Sequence, residues 1–204
     1  IDSDGSVSEI YFDNVPSFVL ALDREVEVDG IGTVDYDLAF GGAFYAYVQA
    51  GDFGLECTPD DYERLIKLGM RIKNAVQKTG LVKHPLEKDL GFLYGTIFIG
   101  DAISGGNSRN VCIFAEGEVD RSPTGTGVSG RVAIDYARGN IRMNEKVKIE
   151  SILGTKFTAS VVEETEVGEH PAVIPRVGGM AYIVGRNELI IDPDDPLKYG
   201  FILR

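Results

Sequence analysis

The chain has 204 residues, of which 44% are hydrophobic, and its formal net charge is −12. This length fits one large domain or two small ones, and the composition is that of a globular chain with many turns. The acidic excess argues against a nucleic-acid partner or an anionic membrane surface, since both need clustered Lys and Arg. A small anion is not excluded as a ligand, because backbone N–H groups can bind one locally.

The two cysteines, Cys57 and Cys112, have no metal-binding spacing, and only two histidines could join them, so no metal site is predicted. They are also too few for a disulfide scaffold, which favours a reducing compartment such as the cytoplasm. No run approaches the ~18 apolar residues of a membrane span, and no secretory leader opens the chain. The chain begins at Ile1 rather than Met, so we expect that its natural start is missing.

The first part of the chain is predicted to form strands and then a helix. Three segments rich in apolar residues, Ser8–Leu22, Val26–Val34 and Tyr36–Val48, predict an antiparallel meander. The pair Gly41-Gly42 is typical of a bend in a strand or of a close backbone approach to a site. Thr58-Pro59-Asp60-Asp61 then starts a helix with an apolar stripe, which ends at Gly80.

The second part contains further strands and one more helix. Strands are predicted at Leu93–Ile99, Asn110–Ala115, Val147–Leu153, Lys156–Glu163, Ala172–Ile174 and Met180–Val184. A helix is predicted over about Val128–Ala137, after a turn of small residues. Because two helices stand against about nine strands that do not alternate with them, the predicted class is α+β.

The segment Asp120-Arg121-Ser122-Pro123-Thr124-Gly125-Thr126-Gly127 leads from a strand into this second helix. The helix start leaves N–H groups without partners and carries a partial positive charge, so a carboxylate or phosphate suits it. Asp120 could pair with a cationic group, and the site would then bind both ends of an amino acid. The alternative is an ordinary strand–turn–helix joint with Thr124 as the N-cap. The segment is neither a P-loop nor a dinucleotide-binding motif.

At these residues the chain resembles the proline racemase family, which includes proline racemases, 4-hydroxyproline epimerases and trans-3-hydroxy-L-proline dehydratases. The family signature Asp-Arg-Ser-Pro-Cys/Thr-Gly-Thr-Gly is matched by Asp120–Gly127. Further matches keep the family's order along the chain: Asn14-Val15-Pro16-Ser17-Phe18, Phe40-Gly41-Gly42-Ala43-Phe44-Tyr45-Ala46, Gly154-Thr155-Lys156-Phe157 and Asp192-Pro193-Asp194-Asp195-Pro196.

The resemblance implies a diaminopimelate-epimerase-like fold, in which two similar halves each wrap a curved, mostly antiparallel sheet around a central helix. Residues 1–175 correspond to the second half, and residues 176–204 are expected to be strands and a tail that pack back on the first half. The active site of the family lies between the halves. The cysteine motif of the first half has no counterpart here, since neither Cys57 nor Cys112 lies in a matching context.

The resemblance also implies the chemistry. Thr124 stands where racemases carry their second cysteine, and a threonine hydroxyl titrates too high to act as a resting base, unlike a thiol with a pKa of about 8.5. Thr at this position marks the dehydratases of the family, which need no organic cofactor or metal. By the same resemblance, Asp120 binds the ring nitrogen of the substrate, Gly125 and Thr126 donate backbone N–H groups to its carboxylate, and Thr124 faces Cα and C3.

The implied function is the dehydration of trans-3-hydroxy-L-proline by a hydro-lyase in which this chain supplies one half of the site. We expect the chain alone to be inactive, because the catalytic cysteine belongs to the missing N-terminal half, and family members often form homodimers. Two alternatives stay open. One is a non-catalytic module that binds amino acids or has a structural role, and the other is a racemase or epimerase variant.

Overall fold

A computed structural model describes residues 9–201 of the chain. The strands are β1 (Ile10–Asp13), β2 (Ser17–Val28), β3 (Gly32–Phe40), β4 (Phe44–Gln49), β5 (Leu93–Gly100), β6 (Ser108–Phe114), β7 (Glu118–Val119), β8 (Val147–Glu150), β9 (Lys156–Val167) and β10 (His170–Gly179). The α-helices are α1 (Tyr62–Lys78) and α2 (Gly125–Ala137). These elements agree with the predicted α+β class. Within residues 9–201, neither helix is both long enough and apolar enough to cross a membrane.

Eight of the strands form a barrel in the order β10-β2-β3-β4-β5-β6-β8-β9, and the pairing of β9 with β10 closes it. An antiparallel meander is present as predicted, in the pairs β2–β3 and β3–β4, but its strands have other limits than the predicted segments. Most other pairs are also antiparallel, whereas β4–β5 and β6–β8 are parallel. The structure differs from the predicted curved sheet because the sheet closes on itself. Closure pairs the backbone groups that the edges of an open sheet would expose.

Alternate residues of the barrel strands face different helices, as the period of two in a strand requires. In β4, Phe44 and Ala46 belong to an apolar cluster that includes buried residues of α1. Tyr45 and Tyr47 belong to another cluster, which includes Ile134 of α2. A third cluster joins α2 to β8, β9 and β10. Helix α2 therefore packs against strands from opposite parts of the closed barrel, and its position is fixed by many contacts.

Helix α1 confirms the helix predicted after Thr58. A 3-10 turn at Pro59–Asp61 leads into α1, whose buried residues Leu65, Gly69, Ile72 and Val76 form the predicted stripe. A Cβ at Gly69 would lie 2.8 Å from side-chain atoms of Ile113 on β6, so the glycine lets the helix approach the barrel closely. The predicted stripe therefore identified the packing face of this helix.

Several predicted strands have different limits in the structure. The predicted strand 26–34 contains the turn between β2 and β3, where Gly30 has a φ of +64° that suits a hairpin. The first predicted strand is interrupted after Asp13, and its residue Ser8 lies outside the described residues. Met180–Val184 is not a strand, because no described strand pairs with it and Ile183 is 97% exposed.

The proposed domain boundary at residue 175 lies within β10, which continues to Gly179. In the predicted half 1–175, residues 1–8 lie outside the described part of the chain, and in the predicted tail 176–204, residues 202–204 do. The tail after β10 contains turns near Asp192–Pro196, which agrees with the turn-rich stretch in the sequence. Its place in a larger protein stays a prediction.

A buried ion pair connects β6 to β8. Arg109 Nη2 donates to Glu150 Oε2 at 2.8 Å, and the two side chains are 3% and 0% exposed. Glu150 also accepts the backbone N–H groups of Ile103, Ser104 and Gly106 at 2.9, 2.8 and 2.7 Å. Burial raises the pKa of Glu150, but the hydrogen bonds from Arg109 and the loop outweigh it and lower the pKa to about 2. The ionised carboxylate thus holds the β5–β6 loop against the barrel.

Candidate active site

The segment from Asp120 to Thr124 is a tight turn organised by the Asp120 carboxylate. Asp120 Oδ1 accepts the N–H of Ser122 at 2.8 Å, and Oδ2 accepts the Thr124 hydroxyl at 2.8 Å. Ser122 Oγ in turn accepts the N–H of Thr124 at 3.0 Å. The Asp120 N–H donates to the Cys112 carbonyl on β6 at 3.1 Å, which attaches the turn to the barrel. The carboxylate is therefore held rigidly at the start of α2.

Thr124 occupies the position before α2, but its side chain does not cap the helix. Its hydroxyl donates to Asp120, and its carbonyl accepts the N–H of Val128 at 2.6 Å. The φ of Thr124 is +69°, which is unfavourable for a β-branched residue and costs about 1–3 kcal/mol. Thr124 therefore has the N-cap position, but its side chain is not the capping group. The oxygen keeps its lone pairs, so it can still accept a hydrogen bond.

Gly125, Thr126 and Gly127 form the first turn of α2. Their N–H groups make no hydrogen bond to another residue between 9 and 201. The helix dipole adds roughly half a positive charge at this end, so an anion is stabilised here. The ring of Phe12 on β1 borders the same place, since a Cβ at Gly125 would lie 3.6 Å from its Cζ. The turn and the helix start together offer a carboxylate and two or three N–H donors to one small ligand.

The turn between β3 and β4 packs directly on this helix start. A Cβ at Gly41 would lie 2.2 Å from the Thr126 carbonyl oxygen and 2.5 Å from the Gly130 nitrogen. A Cβ at Gly42 would lie 2.9 Å from Thr126 Cγ2, and the φ of Gly42 is +107°. The glycine pair therefore has both predicted features, since it forms a bend in the chain and lets the backbone approach α2 closely.

We expect Gly41→Ala to lower the free energy of unfolding by about 1–3 kcal/mol, because backbone atoms on the other side must move. Urea denaturation of the chain measures this change. The control is Gly51→Ala, since nothing lies within 4 Å of a Cβ at Gly51 and its φ is not positive. Equal stability of the two variants would contradict the packing argument.

Two tyrosines on β4 make hydrogen bonds to the helix start. Tyr45 shares a hydrogen bond of 2.8 Å with Thr126 Oγ1, and Tyr47 donates to the Gly127 carbonyl at 2.8 Å. Gly130 leaves room for Tyr47, because a Cβ there would lie 2.2 Å from the hydroxyl. Burial raises the pKa of both tyrosines, so both stay protonated. Neither tyrosine was among the predicted site residues, although strand alternation places residues two apart on the same face.

Both cysteines are buried and are not acid–base candidates. Burial raises the pKa of Cys112 to about 12, a shift that the neighbouring Thr124 hydroxyl partly opposes. Burial likewise raises the pKa of Cys57 to about 12. These values support the prediction that neither thiol is the catalytic cysteine. Among residues 9–201, no group of three or more His, Cys, Asp or Glu side chains could hold a metal ion.

The four predicted site residues lie together in the structure. Asp120 and Thr124 are joined by a hydrogen bond, and Gly125 and Thr126 follow in the first helical turn. Two clefts of about 610 and 620 Å³ are lined by other residues. The turn is the better candidate for a binding site, because it combines a held carboxylate with N–H donors that have no partner within residues 9–201. The roles of the four residues stay predictions.

Residues 1–202 match the family model described as proline racemase. This chain belongs to the proline racemase family. It is 51% identical to a trans-3-hydroxy-L-proline dehydratase of Colwellia psychrerythraea, a match that covers 97% of this chain and 56% of the relative. It is 40% identical to a proline racemase of Clostridioides difficile, with 98% of this chain and 60% of the relative covered.

A solved structure of the family has the same fold. The hydroxyproline epimerase of Agrobacterium vitis with bound trans-4-OH-L-proline matches with a TM-score of 0.85 and 34% identity, over 99% of this chain and 58% of that one. The chain therefore has a proline-racemase-like fold, and it spans somewhat more than half the length of these relatives. Family members named for dehydratase, racemase and epimerase activities are all similar to it.

Proposed function

We propose that this chain supplies one half of the active site of a trans-3-hydroxy-L-proline dehydratase. Asp120 binds the ring nitrogen, the N–H groups of Gly125 and Thr126 bind the carboxylate, and Thr124 faces Cα and C3. The 51% identity to a dehydratase from Colwellia psychrerythraea supports this choice within the family.

The observation that carries the proposal is the hydrogen bond from the Thr124 hydroxyl to Asp120. A racemase needs an acid and a base on opposite faces of Cα. The Thr124 proton is donated to a carboxylate, and the hydroxyl cannot lose it near neutral pH, so Thr124 cannot supply the second base. A reaction with only one base is compatible with this arrangement.

In the proposed reaction, a cysteine of the other half removes the Cα proton. The electron pair of the broken C–H bond forms the Cα–C3 double bond, the C3–O bond breaks, and the C3 hydroxyl takes the abstracted proton from the cysteine thiol and leaves as water. The enamine product then tautomerises to the cyclic imine Δ1-pyrroline-2-carboxylate. Negative charge that develops toward the carboxylate is stabilised by the N–H groups of Gly125 and Thr126. No organic cofactor or metal takes part in this proposal.

The proposal requires a partner half that carries the cysteine, so the chain alone is expected to be inactive. The tail after β10 supports such a partner, since Tyr182, Ile183, Val184 and Ile191 are between 71% and 97% exposed. Apolar side chains of this kind are typically covered in the complete protein. We propose that the tail packs on the first half, and that the complete protein is a cytoplasmic homodimer.

The proposal is tested with a chimera in which this chain replaces the matched 199-residue segment of the Colwellia psychrerythraea relative. The chimera is expected to convert trans-3-hydroxy-L-proline into Δ1-pyrroline-2-carboxylate, as followed by NMR. The unaltered relative serves as the control for the assay. A folded chimera that inverts Cα of proline or 4-hydroxyproline would instead support the racemase or epimerase alternative. A folded chimera that binds these amino acids without converting them would support a non-catalytic module.

Thr124→Cys in the chimera is expected to lower the rate of dehydration by about 100-fold and to introduce detectable inversion at Cα, because a thiol can act as the second acid or base. Chiral chromatography of proline and 4-hydroxyproline measures the inversion. Thr124→Ser is the matched control, which keeps the hydroxyl and should give no inversion. Equal inversion by the Ser and Cys variants, or none in either, would contradict this account of Thr124.

A further inference from the structure

Asn14 lies in the connection between β1 and β2 and joins two other parts of the site. Its Nδ2 donates to the Gly41 carbonyl at 2.8 Å and to Ser129 Oγ at 2.8 Å. Its backbone N–H donates to the Pro175 carbonyl at 2.8 Å, which fixes the connection to β10. One side chain thus bridges the β3–β4 turn and helix α2.

Ser129 continues this connection into the first turn of α2. It is fully buried, and its hydroxyl donates to the Gly125 carbonyl at 2.9 Å. The carbonyl of Gly125 and the N–H of Thr126 belong to the same planar peptide group. Whatever fixes the direction of this carbonyl therefore fixes the direction of the Thr126 N–H on the opposite side.

We propose that Asn14 is a positioning residue that acts through Ser129 to aim the Thr126 N–H at the substrate carboxylate. This inference rests on the proposed function, in which that N–H binds the carboxylate. Asn14, Ser129 and the Gly125 carbonyl form one continuous chain of hydrogen bonds. This chain of hydrogen bonds, the relay, adds a side-chain bond to the helical bond that the Gly125 carbonyl accepts from the Ser129 N–H. The second bond restrains the peptide group at a residue with the backbone freedom of glycine.

The first test uses the chain without ligand and measures backbone ¹⁵N order parameters by NMR. Asn14→Ala and Ser129→Ala should both lower the order parameter of the Thr126 N–H from the rigid value of about 0.85, and leave Val132 in the same helix unchanged. The controls are Asn107→Ala, which removes a side-chain bond to the Lys148 N–H, and Ser160→Ala, which alters a buried serine on β9. An unchanged Thr126 in both relay variants would overturn the inference.

The second test measures catalysis by the same variants in the chimera. Each relay variant should raise KM for trans-3-hydroxy-L-proline about tenfold with a smaller change in kcat, because a hydrogen bond to a charged group is misdirected. The double variant should be no worse than the single variants, since both interrupt one relay. The inference would be contradicted if the double variant raised KM by the product of the two single effects, or if the control variants raised KM as much as the relay variants.

The two tests separate the inference from the proposed function. If the chimera without these substitutions is inactive but the relay variants disorder Thr126, the proposed function fails and the positioning by Asn14 stands. If that chimera is active and the order of Thr126 is unchanged by the variants, the positioning role fails and the proposed function stands.

Discussion

Asp120→Asn in the chimera is expected to lower kcat/KM for trans-3-hydroxy-L-proline by about 100- to 1,000-fold. The substitution keeps an oxygen that can accept the Ser122 N–H, but it removes the negative charge proposed to bind the ring nitrogen. In the unaltered chain the Thr124 hydroxyl donates to Asp120 at 2.8 Å. In the variant it would face the amide N–H₂ or the amide oxygen of Asn, which is a weaker acceptor than a carboxylate. Removal of one member of a hydrogen-bonded charge pair has effects of this size.

Steady-state kinetics compare Asp120→Asn with a control variant, Asp61→Asn. Both variants change a carboxylate that accepts a backbone N–H in a turn, so the comparison separates loss of substrate recognition from disturbance of a turn. Asp61 also accepts a backbone N–H, from Glu56 at 2.8 Å, and it precedes α1, whereas the proposed site is at the start of α2. The control should keep the kcat/KM of the chimera. If Asp120→Asn retains full activity and stability, the assignment of the ring nitrogen to Asp120 is wrong.

Glu150→Gln is expected to lower the free energy of unfolding of the chain by about 3–5 kcal/mol, because it leaves the Arg109 guanidinium buried without its counter-charge. Arg109 is 2% exposed, and its Nε makes no hydrogen bond within residues 9–201, so the side chain has few other ways to be compensated. Urea denaturation at neutral pH measures the change. The paired replacement Arg109→Met with Glu150→Leu removes both charges and should cost much less. A loss for the paired variant as large as that for Glu150→Gln would contradict this explanation.

The same ion pair predicts how stability depends on pH. The pKa of Glu150 is lowered from an ordinary value of 4.5 to about 2 in the folded chain. The unfolded state therefore binds the proton more readily, so the contribution of Glu150 is fully present above about pH 4.5 and is lost as the pH falls toward 2. Unfolding free energies measured across this range should fall less steeply for Glu150→Gln than for the unaltered chain. Parallel curves would show that Glu150 does not contribute to acid sensitivity.

The turn at the candidate site was predictable from the sequence because its residues are local. Asp120, Thr124, Gly125 and Thr126 lie within seven residues, and the turn composition indicated a helix start with unpaired N–H groups. What the local pattern could not give is the partner of the Thr124 hydroxyl. An N-cap and a bond to Asp120 are both compatible with the same residues, and only the φ of +69° and the resulting geometry decide between them.

Features that depend on contacts between residues far apart in the sequence were harder to predict. Closure of the barrel depends on β10, which pairs with both β9 and β2, and nothing in a single strand's pattern specifies two such partners. The roles of Tyr45 and Tyr47 depend on contacts with residues about 80 positions away along the chain. Met180–Val184 has the composition of a strand, but composition does not supply a neighbouring strand to pair with. Local patterns thus identified the elements, while their partners required the structure.

The most direct test of the central claim is a competition in which the chimera receives equal concentrations of trans-3-hydroxy-L-proline and L-proline. The account predicts that Δ1-pyrroline-2-carboxylate accumulates with loss of water while no D-proline forms, because Thr124 cannot act as a second base. Formation of D-proline at a rate comparable to that of dehydration would contradict it.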